Sequence, residues 1–76
     1  MWYYKCMKIT FAERLKELRE ERGLSQKELE KALNNKISDA AISLWELGRR
    51  TPNAEALILL ADFFSVTIDY LVGREN

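Results

Sequence analysis

The side chains of this chain that could do chemistry are almost all charged, with twelve Lys and Arg against twelve Asp and Glu. There is no histidine and only one cysteine, Cys6, so neither a Cys–His nucleophile nor an internal disulfide can form. The sequence contains no CxxC motif, metal-ligand cluster or glycine-rich phosphate loop. We therefore expect a protein that is not an enzyme and that needs no metal, cofactor or small-molecule ligand.

The charges are unevenly distributed, although the formal net charge is zero. Residues 1–50 hold 11 Lys and Arg against 8 Asp and Glu, whereas residues 51–76 hold one Arg and four acids. A neutral total argues against a protein that binds nucleic acid by bulk charge alone. Any contact with an anionic partner is expected in the first two thirds of the chain, where the positive surplus lies.

The length of 76 residues indicates one small domain. No apolar run approaches the roughly 18 residues of a membrane helix, and the aromatic start does not resemble a signal peptide. A single cysteine fits a reducing compartment, so we expect a cytoplasmic protein without membrane contact. Residues 1–8 are expected to be an extension, unstructured or foreign to the native chain, before a domain at 9–73 and a tail at 74–76.

Helix starts and stops predict an all-α domain of five helices. Two capping boxes are predicted, at Thr10 with Glu13 and at Ser25 with Glu28. Apolar residues recur at helical spacing, and no segment shows sustained alternation of period two. The predicted further N-caps are Ser38, Asn53 and Thr67, and the predicted stops are Gly23, Gly48 and Gly73. The helices are expected at about residues 11–22, 26–33, 39–47, 54–64 and 68–72.

Helices 2 and 3, joined by a short turn, have the form of a helix-turn-helix. In such a unit the second helix can lie in the DNA major groove with its first residues towards the base edges. That helix must pack on one side and be bare on the other, and Ile42 and Trp45 supply the packing side. The other side of helix 3 carries Asp39, Ala40, Ser43, Leu44 and Leu47.

Six segments of the chain match, in order and spacing, one known family. They are FAERLKELR (residues 11–19), GLSQKEL (23–29), ISDAAIS (37–43), WELG (45–48), RRTP (49–52) and ADFFSVTIDYLVG (61–73). Residues 9–73 thus resemble the phage-repressor (Xre/Cro-type) helix-turn-helix family. The resemblance implies a compact five-helix DNA-binding domain and a sequence-specific transcriptional regulator, a repressor, that acts on double-stranded DNA as a homodimer.

The resemblance also implies roles for individual residues. The base-reading positions of helix 3 are Ser38, Asp39, Ala40, Ser43 and Leu44. The phosphate-binding positions are Gln26 and Lys27 at the start of helix 2 and Arg49 and Arg50 after helix 3. Lys36 lies in a turn about two residues longer than that of the family and is expected to reach a further phosphate. Arg19 and Glu46 match a structural ion pair between helices 1 and 3.

The reading face departs from the family, which usually has Gln, Arg, Lys or Thr where this chain has Asp39, Ala40 and Leu44. Asp can accept from cytosine N4, and Ala or Leu can contact a thymine methyl, but none makes a bidentate contact with a purine. Simpler interpretations remain open: Gln26 as an ordinary exposed residue, Arg49 and Arg50 as a solvated basic pair, and Asp39 as a helix-dipole residue. A second function also remains open: a protein-interaction module on the same fold, such as an antitoxin or accessory subunit. Such a module would bind a protein partner through Ala40, Leu44 and Leu47 and would bind DNA only weakly.

Leu59 and Phe63 lie one turn apart on helix 4, away from the predicted core. Together with the aromatic segment Trp2-Tyr3-Tyr4 they form a candidate dimer interface. The alternative is that Leu59 and Phe63 only pack at the edge of the domain.

Overall fold

The computed structural model describes residues 3–74, with side chains described from Thr10 onward. Within residues 3–74 there are five α-helices and no strand, which confirms the predicted all-α fold. None of these helices is both long and apolar enough to cross a bilayer. The helices are α1 (Tyr3–Glu21), α2 (Gln26–Ala32), α3 (Asp39–Glu46), α4 (Ala54–Phe64) and α5 (Ile68–Val72). The bounds of α2 to α5 agree with the predicted ones to within one residue.

The four helices after α1 each begin at a polar N-cap, whose side chain accepts a backbone N–H that has no partner inside the helix. These caps are Ser25, Ser38, Asn53 and Thr67, as predicted. Ser25 forms a complete capping box, because its hydroxyl accepts from Glu28 N at 3.0 Å and its own N–H donates to Glu28 Oε1 at 2.8 Å. The hydrogen bond from the Ser25 backbone lowers the pKa of Glu28 below its ordinary value.

Helix α1 begins earlier than the sequence predicts. Its first residue is Tyr3, and Thr10 lies inside it, so the predicted start at residue 11 and the capping box with Glu13 are wrong. A Thr-x-x-Glu pattern marks a helix start only when the preceding residues leave the helix, and here they continue it. Thr10 instead packs on the end of α5, where a Cβ at Gly73 would lie only 2.6 Å from Thr10 Cγ2.

One core receives side chains from all five helices, and each helix contributes one that is fully buried. These five are Leu15, Leu29, Ile42, Leu60 and Leu71. The rings of Phe11 and Trp45 meet edge to face, with centroids 6.1 Å apart, and join α1 to α3. The buried side of α3 is therefore held by the core, which determines the side that faces outward.

The turn between α2 and α3 is ordered by two consecutive asparagines. Asn34 and Asn35 both adopt left-handed backbone conformations, with φ of 59° and 60°. Asparagine tolerates this region better than most L-residues, so the turn forms here without a glycine. Asn35 N donates to Glu30 O at 2.9 Å, and the turn ends with Ile37 buried in the core. The longer turn thus presents Lys36 to solvent while it keeps α3 docked.

Candidate nucleic-acid interface

Helix α3 has a buried side and an open side. Ile42 and Trp45 are 0% and 7% exposed and point into the core. Because successive residues of an α-helix rotate by about 100°, Asp39, Ala40, Ser43, Leu44 and Leu47 share the opposite side, which we call the open face. Ala40 and Leu47 are exposed, Leu47 to 63%, and the other three are half-buried. All the predicted base-reading positions within α3 therefore lie together on one accessible surface, directly after the N-cap Ser38.

The orientation of α3 depends on a contact between Arg19 and Glu46. Arg19 Nε donates to Glu46 Oε2 at 2.7 Å, and Arg19 Nη2 donates to Glu46 Oε1 at 2.9 Å. The side chains are only 11% and 6% exposed. The hydrogen bond to Glu46 raises the pKa of Arg19 above its ordinary value. A bidentate pair restricts angle as well as distance, so it fixes the end of α3 relative to α1.

Gln26 joins the same carboxylate, a contact that the sequence did not predict. Its Nε2 donates to Glu46 Oε1 at 3.0 Å, and the side chain is half-buried. An amide group carries two N–H donors, so this bond occupies one donor of the group expected to contact a phosphate. Gln26 therefore ties the start of α2 to α3.

Lys27 lies between two carboxylates, those of Glu30 on α2 and of Asp39 at the start of α3. Its Nζ is 3.9 Å from Asp39 Oδ2 and 3.6 Å from Glu30 Oε1. Glu30 Oε1 is buried and has no hydrogen-bond partner among the described residues. Its distance of 3.6 Å from Lys27 Nζ is too long for a hydrogen bond, so the contact between them is electrostatic only. The lysine side chain is 65% exposed, and such pairs add little stability. The main effect of Lys27 is to offset part of the negative charge of Glu30 and Asp39 beside the open face.

Lys36, Arg49 and Arg50 are exposed cations near the two ends of α3. Gly48, with φ of +73°, ends the helix, and Arg49 N then donates to Leu44 O at 2.9 Å. Among the side chains described from Thr10 to Arg74, none forms an ion pair with Lys36, Arg49 or Arg50. An anionic partner can therefore bind these cations without breaking an ion pair of the described residues.

Two other arginines of the basic half are used inside the domain, which their sequence positions did not indicate. Arg14 Nη1 donates to Tyr70 O at 2.7 Å, and its guanidinium lies 4.1 Å from the centre of the Tyr70 ring. The guanidinium of Arg22 lies 5.1 Å from the Phe63 ring and 5.4 Å from the Phe64 ring. Both guanidinium groups make cation–π interactions, Arg14 between α1 and α5, and Arg22 between the residue after α1 and the end of α4.

Comparison with known proteins identifies the architecture that these contacts form. A family model described as helix-turn-helix matches residues 15–71, which include α2, α3 and both members of the Arg19–Glu46 pair. The chain belongs to the helix-turn-helix family, of the Xre/Cro-like kind. The predicted family resemblance is thereby confirmed, and the helix-turn-helix unit consists of α2, the asparagine turn and α3.

Several proteins named as regulators of transcription share this helix-turn-helix domain. The chain is 45% identical over 68 residues to the HTH-type transcriptional activator BcrR of Enterococcus faecalis, and the matched region covers 90% of the chain and 32% of BcrR. It is 34% identical over 68 residues to the HTH-type transcriptional regulator ImmR of Bacillus subtilis (strain 168), which covers 90% and 52%. It is 40% identical over 64 residues to the HTH-type transcriptional regulator AnsR of the same organism, which covers 84% and 53%.

The chain therefore spans about a third of the length of BcrR and about half the length of ImmR and AnsR. No solved structure gives a significant match.

Proposed function

We propose that this domain binds double-stranded DNA and regulates transcription, with α3 in the major groove. The observation that carries the proposal is the open face of α3, opposite the side that packs in the core and flanked by Lys36, Arg49 and Arg50, which are exposed and have no ion pair among the described side chains. Helix-turn-helix domains read base edges with the first residues of the second helix and hold phosphates with the surrounding groups. Relatives named as regulators of transcription support the same function.

In this proposal the predicted residues divide into two groups around α3. The base-reading group is Ser38, Asp39, Ala40, Ser43 and Leu44, and the phosphate group is Gln26, Lys27, Lys36, Arg49 and Arg50. The three unpaired cations make the strongest phosphate contacts, because the amide of Gln26 and the ammonium of Lys27 are already shared with carboxylates. We propose repression as the direction of control, since a domain bound at a promoter excludes polymerase. We propose the cytoplasm as the location, since the DNA is there.

We propose further that two copies bind a two-fold site, with half-sites about one turn of DNA apart. A domain of zero net charge makes few phosphate contacts, and joining two weak binding units raises the affinity without new contacts. Phe63 already contacts Phe64, at 4.9 Å between ring centres, and Arg22. Leu59 is half-buried like Phe63, and the neighbouring Ile58, which was not part of the predicted interface, is 50% exposed and extends this surface of α4.

The N-terminal part of the predicted dimer interface stays a prediction. Trp2 lies outside the described residues, and for Tyr3 and Tyr4 only the helical backbone is described. Analytical ultracentrifugation with and without DNA tests for the dimer. Two domains per two-fold site would support it, and one domain per site at saturation would contradict it.

A second candidate function is favoured by the exposure of Leu47 and Ala40, because exposed apolar side chains on one helix face also suit a protein partner. In that case the domain is an interaction module, an antitoxin or accessory subunit, and its DNA binding is weak. Retention on heparin in rising salt separates the two functions. Early elution favours the interaction module, and late elution favours the DNA-binding regulator.

The proposed DNA binding is tested by removing the two cations after α3. Arg49→Ala with Arg50→Ala should weaken binding to every duplex, including random sequence. It should also flatten the plot of log K against log salt by about 1.8 for each bound domain, since each lost phosphate contact contributes about 0.9. Fluorescence anisotropy of a labelled duplex from 50 to 300 mM salt, roughly the range in which such contacts are lost, measures both effects.

The matched control is Lys16→Ala with Arg74→Ala, which removes two exposed cations that lie outside the proposed surface. This variant should keep the slope of the wild type. Equal losses in both double variants would show that only net charge matters, and unchanged binding after loss of Arg49 and Arg50 would contradict their assigned role.

A further inference from the structure

We propose that the open face of α3 reads pyrimidines on one DNA strand, cytosine through Asp39 and thymine through Ala40 and Leu44. This inference rests on the proposed DNA binding and adds the class of base that is recognised. It predicts half-sites in which a cytosine is accompanied, on the same strand, by thymines one to three steps away.

The open face is poor in hydrogen-bond donors, and this decides which base edges it can recognise. From residue 38 to residue 48 the chain contains no Lys, Arg, Asn or Gln. Those are the side chains that make bidentate contacts with guanine O6 and N7 or with adenine N6 and N7. The side-chain donors on this stretch other than the Trp45 indole, which lies on the buried side, are the hydroxyls of Ser38, which also accepts from Ala41 N at 3.1 Å, and Ser43, and a single hydroxyl cannot make a bidentate contact with a purine. Strong discrimination in favour of a purine therefore has no source on α3.

Asp39 favours cytosine among the four bases. As a carboxylate it only accepts hydrogen bonds, and in the major groove cytosine presents the N4 amino donor. Guanine presents two acceptors there, and the adenine N6 donor lies beside the N7 acceptor, which repels a carboxylate. The Asp39 side chain is 42% exposed, and Lys27 Nζ, 3.9 Å from Oδ2, offsets its repulsion from the DNA phosphates.

Ala40 and Leu44 provide the apolar part of the same surface. They are four residues apart, so they are neighbours on the helix surface, separated by about one turn of 5.4 Å. Base pairs follow one another at about 3.4 Å, so the two side chains meet bases one or two steps apart. The apolar feature of the major groove is the thymine C5 methyl, which Ala40 and Leu44 can cover and shield from water.

The experiment combines selection from a random duplex pool with binding to modified versions of the selected site. Replacing a contacted thymine by deoxyuridine removes only the C5 methyl, and it should weaken binding about three- to fivefold for each methyl. The same replacement outside the contacted stretch should have no effect. Asp39→Asn should change the selected cytosine to adenine, because asparagine pairs with adenine N6 and N7.

The matched control for Asp39→Asn is Asp62→Asn, which makes the same change of charge at an exposed position of α4. This variant should select the same site as the wild type. Two results would overturn the inference: selection of adenine or guanine as the base that Asp39 contacts in the wild-type site, or no loss of affinity when deoxyuridine replaces the contacted thymines. Salt-dependent binding to duplex DNA without any enriched sequence would overturn it and leave the proposed DNA binding intact, whereas absence of all duplex binding would overturn both.

Discussion

Arg19 and Glu46, 27 residues apart, form two parallel hydrogen bonds of 2.7 and 2.9 Å that connect α1 to the end of α3. Gln26 donates to the same carboxylate at 3.0 Å from the first residue of α2. Glu46 therefore receives hydrogen bonds from α1 and α2 at once, and the helix-turn-helix is fixed to the rest of the domain at this point. The geometry of the proposed DNA surface depends on this carboxylate although its side chain is only 6% exposed.

Removal of the carboxylate should destabilise the domain strongly. Glu46→Ala leaves the Arg19 guanidinium buried without its partner, and loss of one member of a buried pair costs roughly 3 kcal/mol. In a domain of this size that corresponds to a fall in Tm of about 10 °C or more, measurable by circular dichroism. Glu17→Ala, at an exposed position of α1, should leave the Tm nearly unchanged. A wild-type melting curve for Glu46→Ala would show that the pair does not hold the fold.

The contact between Thr10 and Gly73 makes a second prediction about stability. Gly73→Ala places a Cβ 2.6 Å from Thr10 Cγ2 and forces alanine to a φ of +84°, so it should cost about 2 kcal/mol or more. Thr10→Ser removes the nearer of two clashing carbons, Cγ2, and leaves Cβ at 2.9 Å, so Gly73→Ala should still be destabilising but cost about 1 kcal/mol less in that background. Urea unfolding of the four members of this double-mutant cycle measures the coupling. Additive effects would contradict the close approach of α1 to the end of α5.

The Ser25–Glu28 capping box predicts a dependence of stability on pH. The folded-state pKa of Glu28 is lowered from its ordinary value of 4.5, chiefly by the hydrogen bond from Ser25 N–H. The stabilisation is therefore fully present above about pH 4.5 and is lost as the pH falls through the lower pKa of the folded state. Glu28→Gln keeps an acceptor but does not titrate.

The comparison with Glu28→Gln isolates this group from the other carboxylates. Wild type should be the more stable protein at pH 7, and the difference should shrink as the pH falls from 5 to 3, measured as urea midpoints at each pH. A difference that stays constant over this range would mean that the carboxylate of Glu28 does not contribute through its charge.

Much of the fold could be predicted from the sequence because its determinants are local. Ser25, Ser38, Asn53 and Thr67 begin helices through bonds that span only three residues, so the pattern and the contact coincide. The same local reasoning was wrong at Thr10, since the residues before it also form helix and its side chain packs on α5 instead.

The site was less predictable because its contacts are long-range. The hydrogen bond from Gln26 to Glu46 and the pairing of Lys27 with Asp39 depend on how α2 lies against α3, which no spacing pattern encodes. The use of Arg14 and Arg22 in packing likewise depends on the positions of α4 and α5. Counting basic residues along the chain therefore overstates the charge available to a partner, and only the folded domain shows that Lys36, Arg49 and Arg50 form no ion pair with the side chains of residues 10–74.

The central claim is that the open face of α3 and the cations around it form the DNA-binding surface. Titration of isotope-labelled protein with duplex DNA, followed by changes in amide chemical shift, locates the contact residue by residue. We expect the largest changes at residues 38–44 and at Lys27, Lys36, Arg49 and Arg50, with small changes on α5 and on α4 outside the proposed dimer interface at Leu59 and Phe63. Changes concentrated on α4 and α5, or no changes at saturating DNA, would contradict the claim.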